Sequence, residues 1–354
     1  MSILDDSKKI EEVDKENLAD LMAKLPEQME KVWQEKEKIV IPTSYQQVKN
    51  VVIAGMGCDR ITADVIKKSL EEISPLPIEV VGDYKAASYI NGETLVVALS
   101  YSGQTPEVLS FIKKLLKSES RPKIFTIVGG GELEEIAKKE KIPFYKFSGI
   151  GPSRVNIGYL LFALILLLEK VGLLGGGDKK FLSLIETIKN FNQQFITQKE
   201  TKENLAKNLA YQIFDRTPII LGAEHLWPVA QRFKKLFNEN AKNFAFAEEV
   251  PEFFHNSVVG IDYPTRLKDE IFYIFLESDL YSEKIRKALS IFRQSLKEKK
   301  INCDVISCSG KNKLEEAVKG IILGDWVTFY LAILNNIDPT PMEMIESIRR
   351  QLKE

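Results

Sequence analysis

Leu95-Val96-Val97-Ala98-Leu99-Ser100-Tyr101-Ser102-Gly103-Gln104-Thr105-Pro106 is the stretch on which the fold turns. Its five leading apolar residues predict a buried strand, and Pro106 suits the first turn of a helix running to Leu116. Between them, Ser100 to Thr105 places three aliphatic hydroxyls, Ser100, Ser102 and Thr105, in six residues. A helix N-terminus offers free amide donors and a partial positive charge, so hydroxyls gathered there form a cradle for phosphate without any Lys. Simple N-capping explains one hydroxyl but not three.

The same strand, turn, helix order recurs on both sides. Val51 to Ala54 is a short apolar strand closed by Gly55-Met56-Gly57, with a helical pattern from Ile61 to Leu70. Lys123 to Val128 is another strand, stopped by Gly129-Gly130-Gly131 and followed by a short helix from Leu133 to Lys139. Such alternation implies right-handed crossovers and a parallel sheet covered on both faces. Ligands of these sheets bind at the carboxyl ends of the strands, which singles out the loops Gly55 to Arg60 and Ser100 to Thr105.

After an apolar helix at Tyr159 to Leu168, Gly175-Gly176-Gly177-Asp178-Lys179-Lys180 is a composition break suited to an interdomain connection. A second alternation then begins. Pro218 to Gly222, Ile271 to Leu276 and Asn302 to Ile306 read as strands, and Leu226 to Glu239 and Glu283 to Lys297 as helices. The expected fold class is therefore α/β, with two domains that each hold a mainly parallel sheet flanked by helices. Residues 1–174 form the first, led by an amphipathic helix from Ile10 to Glu37 that Pro26 kinks or splits, and residues 175–354 form the second.

A chain of 354 residues fits two such units. Its 49 Lys plus Arg nearly balance 50 Asp plus Glu, so no global field favours nucleic acid or an acidic membrane, and a small polar substrate is expected instead. Cys58, Cys303 and Cys308 lack paired metal-ligand spacing, which argues against disulfides or structural zinc and for a reducing cytoplasm. Met1 to Glu37 is charged throughout and lacks the order of a signal peptide. Tyr159 to Leu168 ends at Glu169 and Lys170, too short to span a bilayer. Gly55-Met56-Gly57 lacks the rest of a dinucleotide fingerprint, and there is no P-loop, triad or metal-spaced His pair. Neither cofactor nor metal is expected.

The Ser-Tyr-Ser-Gly-X-Thr loop resembles the phosphate loop of SIS (sugar isomerase) domains. Phe237-Asn238-Glu239-Asn240-Ala241-Lys242 and Glu252-Phe253-Phe254-His255-Asn256 are similar to the paired motifs of the bifunctional phosphoglucose/phosphomannose isomerases. So are Pro152-Ser153-Arg154 and Asp338-Pro339-Thr340-Pro341, and the match runs in order from about Val51 to Leu352. The resemblance implies two SIS domains and aldose-ketose isomerisation of hexose 6-phosphates, glucose or mannose 6-phosphate to fructose 6-phosphate, through an enediolate.

Read alone, Glu239 is a helix-surface carboxylate pairing with Lys234, Lys235 or Lys242. The resemblance makes it the base that moves a proton between adjacent carbons. His255, one of two histidines, would by the same resemblance open the sugar ring, reaching across a homodimer interface as in relatives. His225 matches no motif. Arg154 would stabilise the enediolate charge, and Thr340 lies in a loop that relatives use near the sugar. The phosphate would meet Gly57, Ser100, Ser102 and Thr105.

Two positions depart from the family. Relatives carry Gly-Gly-Ser-Gly where this chain has Gly57-Cys58-Asp59-Arg60, so the substrate-contacting Ser is replaced by Asp59. Asp59 is expected to N-cap the next helix, and a carboxylate roughly 6 Å from a phosphate charge costs about 3 kcal/mol per unit charge at an effective dielectric near 20. That weakens binding about a hundredfold unless Arg60 pairs with Asp59 or with the phosphate. Arg349 stands where relatives have a Lys that assists ring opening, and Arg cannot share a proton at neutral pH. These changes keep a second class of function open, a non-catalytic sugar-phosphate sensor.

Overall fold

The structure, a computed structural model, describes residues 2–351 except residue 176, and leaves the side chain of Arg349 outside that description. Contacts divide the chain into two compact units. The first unit is Lys24–Lys189, and the second joins Met1–Ala23 to Asn190–Glu354. Against a linear cut at 174/175, the first 23 residues thus group with the C-terminal half. A buried lysine explains part of this: Lys207 Nζ donates to Leu4 O, Asp5 Oδ1, Thr197 O and Lys199 O, tying the N-terminal segment to the second unit.

The expected amphipathic helix from Ile10 to Glu37 is three helices: α1 (Ser7–Val13), α2 (Leu18–Ala23) and α3 (Leu25–Gln34). The first break follows Asp14, whose carboxylate accepts from Leu18 N and Ala19 N, with Asn17 at positive φ. The second falls just before Pro26, which takes an early position in α3, where its missing N–H costs nothing.

The first unit continues as β1 (Asn50–Ala54), α4 (Gly57–Leu70), β2 (Ile78–Val81), β3 (Thr94–Ser100), α5 (Pro106–Leu116), β4 (Lys123–Val128), α6 (Gly131–Lys139), β5 (Phe144–Lys146) and α7 (Ile157–Val171). The strands form one parallel sheet in the order β2-β1-β3-β4-β5. All seven residues of β3 are buried, as its apolar run requires at the centre of a sheet covered on both faces. The Tyr159–Leu168 run lies inside α7, buried throughout. β2 and β5 were not legible in the sequence because they are short edge strands whose residues are mostly half-exposed.

α8 (Gly177–Asn192) follows, then α9 (Leu205–Ile213), β6 (Thr217–Ala223), α10 (Trp227–Glu239), β7 (Phe246–Val250), α11 (Leu267–Glu270), β8 (Ile271–Glu277), α12 (Glu283–Glu298), β9 (Cys303–Ser307), α13 (Lys313–Leu334) and α14 (Glu343–Gln351). The second sheet is also parallel, ordered β7-β6-β8-β9. α13 is long and apolar enough to cross a membrane, but it packs against α9 and α10 as a buried core helix. Gly324 allows that packing, since a Cβ there would lie 2.4 Å from the Phe233 ring. Within the same contact, Arg232 and Asp325 form a buried bidentate pair at 2.8 and 2.7 Å.

In each sheet the chain leaves two adjacent central strands in opposite directions: β1 and β3 in the first, β6 and β8 in the second. The crevice outside their carboxyl ends is where an open α/β sheet binds ligands.

Candidate active site

In the first unit that crevice is bounded by the loop after β3 and the first turn of α4. Ser100 is fully buried; its Oγ lies 2.9 Å from Thr105 Oγ1 and accepts from Gly103 N at 3.0 Å. Ser102, exposed, accepts from Gln104 N at 3.1 Å. Thr105 holds the N-cap position of α5 without a side-chain cap bond. The three hydroxyls thus converge on one helix N-terminus, the anion-favouring arrangement expected from their spacing. The loop rests on Gly129 to Gly131 so closely that a Cβ on Gly103, at φ +62°, would stand 1.7 Å from Gly130 O.

Across the crevice, Gly57 opens α4 at φ +58° with open space at its Cβ position. Asp59 does not cap this helix, as the sequence led one to expect. Met56 is the N-cap, and Asp59 turns inward, 5% exposed, with Oδ2 accepting from Tyr101 N at 3.2 Å. Oδ1 is buried without a hydrogen-bond partner. Burial pushes this carboxyl up to about 7, opposed by the Tyr101 amide. Arg60 does not compensate it, for its guanidinium reaches Asp64 at 3.5 Å and remains 44% exposed.

Arg154 sits buried in a 3-10 turn, Ser153–Val155, ahead of α7. Two residues that sequence reasoning passed over hold this turn. Asn156 accepts from Ile150 N and donates to Ile150 O and Pro152 O. Gln28 of α3 donates to Val155 O and accepts from Gly158 N. Buried amides facing a Gly-Pro loop carry this signal, but Gln28 lies 127 residues from its partner, beyond any local pattern.

In the second unit, Glu239 ends α10, partly buried, and among the described residues no lysine pairs with its carboxylate. Lys242, at φ +50°, instead sends its ammonium to carbonyls: Glu239 O at 2.8 Å, Asp338 O at 3.0 Å and Pro339 O at 3.1 Å. Glu239 is therefore brought beside the 338–341 loop, where Thr340 is buried and donates its amide to Asp338 Oδ1. Neighbouring Asn240 donates to Thr328 on α13, fixing the end of α10. His255 ends a short 3-10 turn after β7, exposed, while Phe253 beside it is anchored among Tyr273 and Phe292. The side chain of Arg349 lies outside the described residues, and only its place in α14 is given.

The equivalent crevice of the second sheet is closed. His225, after β6, puts Nε2 2.8 Å from Glu316 Oε2 of α13; Ser278, after β8, donates to the same oxygen, and Gly310 N donates to Oε1. Tyr281 covers the His225 ring edge-on, its OH accepting from Ala223 N. Among the described residues no group of three His, Cys, Asp or Glu is placed to hold a metal.

Two parallel sheets, one with a hydroxyl-lined loop at a helix N-terminus, fit the SIS phosphosugar class. Residues 44–148 match the SIS domain family, and residues 202–352 match the bacterial phospho-glucose isomerase C-terminal SIS domain family. The bifunctional phosphoglucose/phosphomannose isomerase of Caldicellulosiruptor bescii is 30% identical over 93% of this chain and 97% of the relative. That of Aquifex aeolicus is 28% identical over 91% and 94%. A solved glucose-6-phosphate isomerase like protein from Thermus thermophilus shares the fold with a TM-score of 0.63, at 18% identity, over 98% of this chain and 100% of its own. The chain belongs to the bifunctional phosphoglucose/phosphomannose isomerase family.

Proposed function

We propose that the protein is an aldose-ketose isomerase that interconverts glucose 6-phosphate or mannose 6-phosphate with fructose 6-phosphate. The observation that carries this is the hydroxyl cradle at Ser100, Ser102 and Thr105, present in a chain whose relatives bear that isomerase name over nearly their whole length. Glu239 is the proposed base: it takes the proton from the carbon beside the carbonyl and returns it to the neighbouring carbon, while Arg154 meets the enediolate charge. His255 protonates the ring oxygen to open the substrate, and Arg349 assists it.

Further parts of the reading are proposed with it. The two matched segments, residues 44–148 and 202–352, support one SIS domain on each side of 174/175, with residues 1–23 grouped with the second. An exposed His255, beside Phe253 and Phe254 that pack on Phe292, suits a group offered to a second copy of the chain, so the working form is a homodimer. Near-balanced charge and a phosphorylated hexose substrate suit a cytoplasmic enzyme of carbohydrate metabolism, in glycolysis or gluconeogenesis, without nucleic-acid or membrane partners. The sensor alternative gains no support from the relatives, which carry enzyme names. A coupled assay with each aldose phosphate is expected to show turnover without added metal or redox cofactor. Folded protein that turns over neither would overturn the proposal.

A further inference from the structure

Asp59 is the acidic residue of the crevice at the first turn of α4, and the structure gives it an unusual setting. Gly55, at the end of β1, lets the first turn of α4 press against the strand, because a Cβ there would lie 3.2 Å from Asp59 Cβ. The carboxyl is thereby sealed at the carboxyl end of the sheet, with one oxygen on the Tyr101 amide and the other on nothing. A buried anion in that position would need a cation or several donors.

The carboxyl itself has neither: among the described residues its one hydrogen-bond donor is the Tyr101 amide, and no ion pair reaches it. α4 packs on β1, β2, β3 and α7. β1 and β3 carry no ionisable side chain, and β2 carries only Glu79, which accepts from Tyr89. α7 carries Tyr159, with Glu169 and Lys170 in its last turn. On α4, Arg60 pairs with Asp64, and Cys58, Lys67 and Lys68 complete its ionisable set. The β3-α5 loop offers Tyr101, whose phenol donates to Gly151 O, and the turn before α7 offers Arg154.

We propose that Asp59 serves in this site as an uncharged acid, a positioning residue that holds the Tyr101 amide of the phosphate loop, and that its ionisation weakens sugar-phosphate binding. The inference rests on the hexose-phosphate reading of the loop. With Oδ2 accepting from the amide, the acid proton belongs on Oδ1. Held neutral, Asp59 does not repel phosphate; ionised, it opposes a phosphate about 6 Å away by on the order of a hundredfold in affinity per unit of phosphate charge at an effective dielectric near 20. Burial places the changeover near pH 7, within the working range of an enzyme at neutral pH. By linkage, binding of the dianion draws a proton onto Asp59.

Titration calorimetry with fructose 6-phosphate, on wild type, Asp59→Asn and the family-like Asp59→Ser, tests this from pH 6.5 to 8.5. Above pH 7 the phosphate itself is almost wholly dianionic, so a change there belongs to the protein. Wild-type affinity is expected to fall about tenfold or more as pH rises, with uptake of a large part of one proton on binding at pH 8 in buffers of different ionisation enthalpy. Both variants are expected to bind with a nearly flat profile and no such uptake. Profiles of wild type and variants that superimpose would overturn the inference while leaving the sugar-phosphate reading intact. Absence of binding in all three proteins at every pH would overturn that reading, and the inference with it. Should one variant fail to fold, as judged by its melting transition, the other decides.

Discussion

The loops after β1 and β3 in one unit, and after β6 and β8 in the other, hold the same topological position in two parallel sheets. In the first, hydroxyls and amides satisfy one another within a single loop, and the helix N-terminus of α5 stands behind them. In the second, a carboxylate from the chain's own α13, Glu316, takes the donors of both loops. On the proposed reading, the first crevice exchanges its internal hydrogen bonds for those of a sugar phosphate. The other already carries its anion as a covalent part of the fold, so duplication of the architecture does not duplicate the site.

Removing the built-in anion should break the comparison most sharply. Glu316→Ala leaves the buried His225 Nε2 and Ser278 Oγ, and the half-buried Gly310 N, without their partner, and a loss of about 3–5 kcal/mol in unfolding free energy is expected from denaturant titration. Sugar-phosphate affinity of the folded fraction should stay within about twofold of wild type, because the first unit's loop is untouched. A large loss of affinity with intact stability would mean that the second crevice, not the first, receives the phosphate.

Smaller and opposite in kind is the effect of removing a hydroxyl from each. Ser100→Ala deletes a buried hydrogen-bond centre of the proposed phosphate loop, and about 1–3 kcal/mol of it should appear as weaker fructose 6-phosphate binding, roughly tenfold or more. Ser278→Ala, the corresponding change in the second sheet, should lower stability by about 1 kcal/mol and leave affinity unchanged. Calorimetry and thermal melts on the pair separate the two outcomes. Equal loss of affinity in both variants would erase the distinction between the crevices.

Asp59 also makes a statement about stability in the absence of substrate. Its folded carboxyl, raised to about 7 by burial, keeps its proton where an unfolded one, near 3.9, has lost it. The folded state therefore binds more protons between those values, so the contribution is full below about pH 4 and is lost as pH rises to about 7. Asp59→Asn should flatten the fall in melting temperature over that window, and an unchanged slope would place the carboxyl in contact with water or a cation.

Much of this was legible from local pattern. Apolar runs such as Leu95 to Leu99 and Lys123 to Val128 marked central strands because burial on both faces leaves no room for polar residues. Pro106 and the spaced hydroxyls marked the loop that opens α5 because their chemistry is local. β7 (Phe246–Val250) escaped notice because its two glutamates sit on an edge strand, where one face is wet. The inward turn of Asp59 escaped because N-capping is a local rule, whereas the Tyr101 amide that claims it comes from 42 residues away. His225 matched no motif for the same reason, since its partner Glu316 lies 91 residues on.

The central claim is a proton transfer by Glu239 on a hexose 6-phosphate. It is tested most directly by NMR of deuterium entering fructose 6-phosphate and its aldose product from heavy water, with wild type and Glu239→Gln compared. Wild type is expected to exchange the proton at the first two carbons, and Glu239→Gln, which keeps size and hydrogen bonding, to lose about 100- to 10,000-fold in both exchange and isomerisation while binding the sugar phosphate nearly as before. Exchange by Glu239→Gln at the wild-type rate would contradict the account.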